Sequence, residues 1–278
     1  MAAVLTLLIT IEQLIANPDY YVVDTRPAVM YMEGHIPGAV NLDAAELSET
    51  RDGVKGLLKP IPELREIFAA AGIHPDKKIV LYSNMLDEEQ RTFPTRVFWA
   101  LDYLGYPTIT ILDGGYLKWR EEGHPVETAV VKAVPVTLPE LTPDPGRHAT
   151  KEEVLAVVNN GGAVLLDMRP TAQYRGKEKA DFVDRYGHIA GAESLPTNDL
   201  IAGHPGDFVD LDKMKKELAK RGVTAETPVI AYCNTGRSAS VGYYACRLTG
   251  CRNVQLYDAS MAEWGSTDLP VVTGKKPR

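Results

Sequence analysis

A cysteine in the last fifth of the chain is the side chain best placed for covalent chemistry. Cys233 follows the apolar run Pro228–Tyr232 and precedes a helical pattern. The intervening loop consists of Asn234, Thr235, Gly236, Arg237 and Ser238. A turn from strand to helix presents unpaired backbone N–H groups and the positive end of a helix dipole, which together favour the nucleophilic thiolate and bind anions. We therefore predict that Cys233 is a nucleophile at the base of an anion-binding loop, to which Arg237 adds a positive charge.

The region around Cys233 has a counterpart earlier in the chain, because the sequence repeats itself. Four blocks recur in the same order: Val22–Pro27 as Leu165–Pro170, Gly34–Ala39 as Gly187–Ala192, Val80–Asn84 as Ile230–Asn234, and Leu112–Gly115 as Tyr257–Ser260. Such ordered repetition indicates a tandem duplication. Ser83 stands where the second copy has Cys233, and its loop continues with acidic residues at 87–89. We predict that only the second copy is catalytic.

The elements that position this loop follow from the hydrophobic patterns. Each copy alternates short β-rich runs such as Ile79–Tyr82 and Val229–Tyr232 with helical patterns such as Arg91–Leu104 and Ser238–Leu248. This alternation predicts an α/β fold in which each of two tandem domains has a mainly parallel sheet flanked by helices. The length of 278 residues fits two domains of roughly 100–200 residues each.

The boundary between the two copies is marked by proline. Residues 127–149 include Pro135, Pro139, Pro143 and Pro145, a density typical of a semi-extended linker. We therefore expect one domain over residues 1–126, a linker over 127–149 and a second domain over 150–278. Thr10 with Gln13, and Thr150 with Glu153, have the spacing of a helix capping box near the start of each copy.

The composition excludes several functions. A net charge of −7 and a pI of about 5.5 argue against nucleic acid as a partner. No apolar stretch is long enough for a membrane helix, so no membrane partner is expected. The six histidines and three cysteines lack ligand spacing, and we predict neither a metal site nor a cofactor. The scarcity of cysteine suits a reducing compartment, and we expect a cytoplasmic protein.

Some repeated or cysteine residues have a simpler structural interpretation. Asp24 with Arg26 and Asp167 with Arg169 occur in both copies, which favours a hydrogen-bonded corner over catalytic machinery. The paired histidines His35 and His188 are expected to bind the backbone of turns, and Trp119 and Trp264 to anchor cores. Cys246 and Cys251 fit packed thiols, with a resolving role for either as the alternative.

These motifs together resemble the rhodanese family. Gly34-His35-Ile36-Pro37-Gly38-Ala39 is similar to the signature near the start of a rhodanese domain, and the blocks at 112–119 and 257–265 resemble its end motifs. The resemblance covers nearly the whole chain and includes the tandem layout. It implies two rhodanese-like domains, an inactive first one and a second one bearing the catalytic cysteine, as in the thiosulfate and 3-mercaptopyruvate sulfurtransferases. Cys233 matches that cysteine.

The resemblance implies sulfur transfer through a Cys233 persulfide. A small anionic donor, thiosulfate or 3-mercaptopyruvate, would give its sulfur to the thiolate, and the loop residues 234–238 would hold the persulfide. Cyanide or a thiol would then accept the sulfur, and a thioredoxin-like protein is one candidate acceptor. No cofactor is required, because both steps are displacements at sulfur.

Two departures from the family pattern leave the donor open. The loop after Cys233 matches neither the doubly basic thiosulfate type nor the small neutral mercaptopyruvate type. The active domain of the family often carries a substrate-binding arginine where this chain has Gln173. Arg175 and Arg185 are candidates to substitute for it as substrate contacts.

Two alternative functions differ in class from sulfur transfer to small molecules. A phosphatase on the same fold needs an arginine six residues after the cysteine, where this chain has Ala239, so we expect no phosphate hydrolysis. The other alternative is that the chain serves a partner protein as a persulfide carrier or a regulatory module. The segment 198–210 and the acidic loop 87–89 are candidate docking sites for that partner.

Overall fold

A computed structural model describes residues 7–200 and 210–277 of the chain. Two compact units are present. The first unit includes residues 7–48 and 58–144, and the second includes residues 49–57, 145–200 and 210–277. Within the described residues, no helix has the length and apolar character required to cross a membrane.

The part of the chain up to residue 144 forms seven strands and five α-helices in the described residues. In chain order they are β1 Leu8–Ile9, α1 Ile11–Ile15, β2 Tyr20–Asp24, α2 Ala28–Glu33, β3 Val40–Asn41, β4 Ser48–Arg51, β5 Val54–Leu58, α3 Ile61–Ala70, β6 Lys78–Tyr82, α4 Glu88–Tyr103, β7 Ile109–Leu112 and α5 Gly115–Glu121. Helix α1 begins in the predicted capping box, where Thr10 Oγ1 accepts the backbone N–H of Gln13 and Gln13 Oε1 accepts that of Thr10.

The described part of the chain after residue 144 forms six strands and six α-helices. In chain order they are α6 Lys151–Asn160, β8 Val164–Asp167, α7 Thr171–Tyr174, β9 His188–Ile189, β10 Glu193–Ser194, α8 Thr197–Leu200, α9 Leu211–Ala219, β11 Val229–Tyr232, α10 Arg237–Leu248, β12 Val254–Leu256, α11 Ser260–Trp264 and β13 Val271–Val272. Thr150 and Glu153 form the second predicted capping box, at the start of α6.

The two units have similar parallel sheets. In the first unit the strand order is β1-β7-β6-β2-β3, and every pair is parallel. In the second unit the order is β10-β8-β11-β12, again parallel throughout. The central strands β6 and β11 are apolar and buried because the helices cover both faces of such sheets. The predicted α/β fold with parallel sheets flanked by helices is confirmed.

The elements predicted from hydrophobic patterns are present, with ends that differ by a few residues. The helix predicted at Arg91–Leu104 begins three residues earlier, because Asp87 accepts the backbone N–H of Gln90 and caps it. The helix predicted at Ser238–Leu248 begins at Arg237. Residues 201–209 of the candidate docking segment 198–210 lie outside the described residues, and residues 198–200 before them belong to α8.

A hairpin from the first copy belongs to the second unit. Strands β4 and β5 pair with each other, and residues 49–57 between and within them group with the second unit. Val54 and Leu57 pack against the hydrophobic core of that unit, which includes Tyr232 and Trp264. Lys55 lies with its ammonium nitrogen 5.0 Å from the centre of the Phe182 ring. The hairpin therefore extends the second unit with residues that the sequence places in the first copy.

Candidate active site

Cys233 lies where the sequence predicts it, between the central strand β11 and the helix α10. The side chain is only 3% exposed, at the carboxyl end of a buried parallel strand. Gly236 takes a left-handed conformation with a φ of 74° and caps α10, so the chain turns sharply after the cysteine. The first N–H groups of a helix have no carbonyl partner within it, and here the helix begins four residues after Cys233.

Ser260 fixes the backbone of the cysteine. Its Oγ accepts the N–H of Cys233 at 3.0 Å and donates to the carbonyl oxygen of Tyr257 at 2.7 Å. Ser260 is fully buried and has a φ of 50°, which is strained for a residue with a Cβ. The backbone N–H of Met261 also donates to the carbonyl oxygen of Cys233, at 3.1 Å. The start of α11 therefore fixes the backbone of Cys233 through both its N–H group and its carbonyl oxygen.

The predicted Asp–Arg corner is present in both units and is structural. Arg169 donates through Nε to Asp167 Oδ1 at 2.9 Å and through Nη2 to the carbonyl oxygen of Gly187 at 2.8 Å. Tyr232 donates its hydroxyl hydrogen to Asp167 Oδ2 at 2.8 Å and accepts the N–H of Ile189. The corner therefore joins strands β8 and β11 to the turn that precedes β9.

Arg169 also acts electrostatically on the cysteine. Burial alone would lower the pKa of this arginine, but the charge of Asp167 and the hydrogen bonds to it outweigh burial and raise the pKa; the neighbouring Cys233 raises it further. The guanidinium therefore stays charged, and Cys233 is one of the groups with which it interacts electrostatically. Arg169, which its occurrence in both copies marks as a structural residue, therefore also places a positive charge at the site.

The two copies differ in what the asparagine after the cysteine position binds. In the first unit Arg26 Nη1 donates to Asn84 Oδ1 at 2.8 Å. In the second unit Asn234 Nδ2 donates instead to Gln173 Oε1 at 2.9 Å, and Asn234 Oδ1 is buried with no hydrogen-bond partner in the described part of the chain. Within residues 7–200 and 210–277, Nη1 of Arg169 therefore makes no hydrogen bond equivalent to that of Arg26. The second unit retains polar atoms beside Cys233 that the first unit satisfies internally.

The counterpart of the site in the first unit is filled by its own side chains. The Oγ of Ser83 donates to the carbonyl oxygen of Gln90 at 2.7 Å and accepts the N–H of Met85 at 3.3 Å. Met85 is fully buried over it. Asp87, the cap of α4, and the adjacent Glu88 and Glu89 give this loop a negative charge at the helix start. These carboxylates repel anions, and that the first copy is inactive stays a prediction.

The two candidate substrate arginines have different surroundings. Arg185 donates through Nη1 to the carbonyl oxygens of Thr267 and Leu269, both at 2.7 Å, so its guanidinium ties down the segment after α11. Arg175 follows α7, two residues after Gln173, and is partly exposed. Its carbonyl oxygen accepts the N–H of Gly274. Gln173, at the family's arginine position, contacts the loop residue Asn234, whereas a role for Arg175 or Arg185 in substrate binding stays a prediction.

Of the predicted loop residues, Thr235 meets an element that sequence reasoning missed. A Cβ on Gly56 of the hairpin would lie 2.5 Å from Thr235 Cβ and 2.6 Å from its carbonyl oxygen, so the two backbones are in close contact. Asn234, Thr235 and Ser238 are partly buried, and Arg237 is exposed at the start of α10. The glycine of the motif Asp52-Gly53-Val54-Lys55-Gly56 was the available signal, because glycine often marks close backbone approach.

The remaining polar candidates have structural partners. The Nδ1 atoms of His35 and His188 bind the carbonyl oxygens of Tyr31 and Tyr174 at 2.9 and 2.7 Å, and each imidazole stacks on that tyrosine. All three cysteines are free thiols. Among the residues that the structure describes, no group of three or more His, Cys, Asp or Glu side chains is arranged to hold a metal ion.

Comparison with known proteins identifies the family of the chain. The model of the rhodanese-like domain matches the chain twice, over residues 10–122 and 150–267. A 3-mercaptopyruvate sulfurtransferase of Escherichia coli strain K12 is 30% identical over 277 residues, which is 92% of this chain and 93% of that protein. A thiosulfate sulfurtransferase of Cricetulus griseus is 28% identical over 253 residues, covering 90% of this chain and 84% of that protein.

The fold also matches a solved structure. The anaerobic ergothioneine biosynthesis enzyme of Chlorobium limicola, solved with trimethyl histidine, has a TM-score of 0.81 to this chain at 22% identity. The match covers 93% of this chain and 65% of that longer one, and it bears on the fold alone. With two matches to the domain model that together span most of its length, the chain belongs to the rhodanese-like family as a tandem of two such domains.

Proposed function

We propose that the chain is a sulfurtransferase that carries sulfur as a persulfide on Cys233. The observation that carries the proposal is the contrast between the two loops. Cys233 lies at a helix start beside the buried positive charge of Arg169, whereas Ser83 is covered by Met85 and followed by carboxylates. The relatives that cover most of the chain include a 3-mercaptopyruvate sulfurtransferase and a thiosulfate sulfurtransferase, which supports the same reaction class.

The first half-reaction loads the cysteine. The Cys233 thiolate attacks the outer sulfur of a small anionic donor and forms a new S–S bond. With thiosulfate the old S–S bond breaks and sulfite leaves; with 3-mercaptopyruvate the C–S bond breaks and pyruvate leaves as its enolate, which takes up a proton. Both donors are anions, so the N–H groups at the start of α10 and the guanidinium groups of Arg169 and Arg237 favour their approach.

The second half-reaction unloads the cysteine. A nucleophile attacks the outer sulfur of the persulfide, and Cys233 leaves as a thiolate, which restores the enzyme. Cyanide would become thiocyanate, and a thiol would become a persulfide. A thioredoxin-like protein thiol fits the second case, and the partly buried Asn234, Thr235 and Ser238 leave the loop open enough for an acceptor to reach.

Three side chains contribute to specificity in this proposal. Asn234 Oδ1 and the Nη1 of Arg169 are the polar atoms that the first unit pairs and the second does not. Gln173 takes the place of an arginine and binds Asn234, so this chain places less positive charge at that position than the family pattern. We propose that the loop at residues 234–238 and Arg169 are the main groups that recognise the negative charge of the sulfur donor. A cytoplasmic location stays a prediction that rests on the scarce, unpaired cysteines.

The test is to load the protein with each donor separately and examine the peptides by mass spectrometry. Trypsin releases Cys233 in the peptide Gly222–Arg237, which we expect to gain one sulfur atom with thiosulfate, with 3-mercaptopyruvate, or with both. Cys233→Ser should neither load nor turn over. The matched control is Ser83→Cys, which puts a thiol at the equivalent place in the first unit and should remain unloaded.

The outcomes separate the alternatives. Failure of both donors to load Cys233, or full turnover by Cys233→Ser, contradicts the proposal. Slow turnover with both donors but fast sulfur exchange with one protein thiol indicates a persulfide carrier. Hydrolysis of an aryl phosphate would indicate a phosphatase, and we expect none because Ala239 is buried in α10 where such enzymes need an arginine.

A further inference from the structure

The end of α10 contains two cysteines whose positions follow from the way helices end in this protein. Among the described residues, six helices end in a Schellman motif, in which a glycine with positive φ reverses the chain and the next residue donates its N–H to a carbonyl five residues earlier. The paired residues are Phe68 and Ile73, Leu101 and Tyr106, Trp119 and His124, Ala172 and Lys177, Leu218 and Val223, and Cys246 and Cys251. The motif holds the two paired side chains against each other.

Only the last of these six pairs consists of thiols. In the first unit the equivalent helix α4 ends with Leu101 and Tyr106, an ordinary apolar contact. In α10 the N–H of Cys251 donates to the carbonyl oxygen of Cys246 at 2.8 Å, and that of Gly250 to Arg247 at 3.1 Å. The same backbone geometry therefore brings two sulfur atoms together where the first copy has carbon.

The two thiols have complementary surroundings. Cys246 is fully buried, whereas Cys251 is 3% exposed and lies between the exposed residues Gly250 and Arg252. The Cys251 thiol donates to the carbonyl oxygen of Thr227 at 3.4 Å. The interaction between the two thiols lowers the pKa of Cys251 and raises that of Cys246, and burial raises the pKa of Cys246 further. Of the two buried thiols, Cys251 therefore ionises more readily than Cys246, and its neighbours Gly250 and Arg252 are exposed at the helix end.

We propose that Cys246 and Cys251 are a redox-active dithiol, separate from Cys233, that a peroxide converts to an intramolecular disulfide. The Cys251 thiolate attacks one oxygen of hydrogen peroxide; an S–O bond forms, the O–O bond breaks, and hydroxide leaves to become water. The Cys246 sulfur then attacks the Cys251 sulfur and loses its proton; the S–S bond forms and the S–O bond breaks, with release of a second water. Two thiols are oxidised and one peroxide is reduced.

Cys233 cannot take either place in this pair. It precedes α10, whereas Cys246 lies near the other end of that helix, and nine residue steps from Arg237 correspond to roughly 13 Å of helix. Cysteines pair only when their Cα atoms are within about 7 Å. The two kinds of sulfur chemistry are therefore separated by the length of α10, and oxidation of the pair is a property distinct from the proposed persulfide.

Trypsin makes the proposal directly testable. Cleavage after Arg247 puts Cys246 in the peptide Ser238–Arg247 and Cys251 in the peptide Leu248–Arg252. The reduced full chain is treated with hydrogen peroxide, alkylated and digested without reductant. We expect these two peptides to be recovered as one species, two hydrogen masses lighter than their sum, and to separate on addition of dithiothreitol.

One control substitution is taken from the equivalent position at the end of another helix. Cys251→Val, which copies the residue at the end of α9, should abolish the link and leave Cys246 alkylated. Cys233→Ser should keep it, and this result holds whether or not Cys233 carries the proposed activity. The proposal is overturned if both peptides are recovered alkylated while Cys233 is oxidised, if either cysteine is linked to the Gly222–Arg237 peptide, or if Cys251 is found only as sulfinic acid.

Discussion

The close contact of the hairpin with the catalytic loop makes Gly56→Ala the most informative substitution in this chain. Gly56 has a φ of 79°, and a Cβ there would lie 2.6 Å from the backbone oxygen of Thr235. A backbone atom cannot rotate away, so either the hairpin or the Cys233 loop must move. Gly53 in the same hairpin has a φ of 81°, and a methyl group on it would meet no atom within 4 Å beyond its chain neighbours. Gly53→Ala is therefore a matched control.

The two variants share one cost and differ in another. The left-handed backbone costs any alanine about 1–2 kcal/mol in the free energy of unfolding, and both variants should lose this amount. Overpacking adds about 1–3 kcal/mol for Gly56→Ala alone. If half of that cost, about 0.5–1.5 kcal/mol, displaces Thr235 and its loop, the loading of Cys233 with sulfur slows by roughly two- to tenfold, since about 1.4 kcal/mol corresponds to a factor of ten.

The assay combines unfolding with sulfur loading. Urea unfolding midpoints are compared between the two variants, and the rate at which the Cys233 peptide gains sulfur is followed by quenched mass spectrometry. We expect Gly56→Ala to unfold at lower urea and to load more slowly than Gly53→Ala, whose loading rate should match the wild type. Equal midpoints and equal loading rates in the two variants would refute the claim that the hairpin supports the catalytic loop.

Two further predictions concern buried polar groups of the second unit. Ser260→Ala leaves the buried N–H of Cys233 without its 3.0 Å partner, so we expect a loss of about 1–3 kcal/mol in unfolding free energy and slower sulfur loading; unchanged values of both would contradict the role assigned to Ser260. Burial lowers the pKa of His188, so the unfolded chain takes up a proton at a higher pH than the folded one. Stability should therefore fall as pH drops through the ordinary histidine pKa of about 6.5, and urea midpoints above and below it should differ less in His188→Gln.

Much of the fold follows from local pattern. The β-rich runs Ile79–Tyr82 and Val229–Tyr232 became central strands because continuous apolar stretches of this length fill buried parallel positions. The capping boxes at Thr10 and Thr150 formed because their hydrogen bonds involve residues only three apart. Cys233 could be singled out for a similar reason, since its place between a strand and a helix start is a property of neighbouring residues.

Other features of the site depend on residues far apart in the chain. The hydrogen bond from the N–H of Cys233 to Ser260 links residues that are 27 positions apart. The sequence repeat predicted only that the segments containing these two residues have counterparts in the first copy. Arg185 was a candidate for the substrate, yet its guanidinium binds the carbonyl oxygens of Thr267 and Leu269, more than 80 residues away. Side-chain direction decides between such roles, and sequence spacing does not report it.

The sequence by itself determined the duplication, the α/β class and the chemical difference between Cys233 and Ser83, because each depends on residue identity and short-range periodicity. Only the tertiary structure decided that the hairpin around Gly56 belongs with the second unit and that Ser260 binds the N–H of Cys233. The hairpin's placement follows from apolar residues that pack against a core distant in sequence. Neither arrangement is expressed in a local pattern, since both depend on packing across the folded chain.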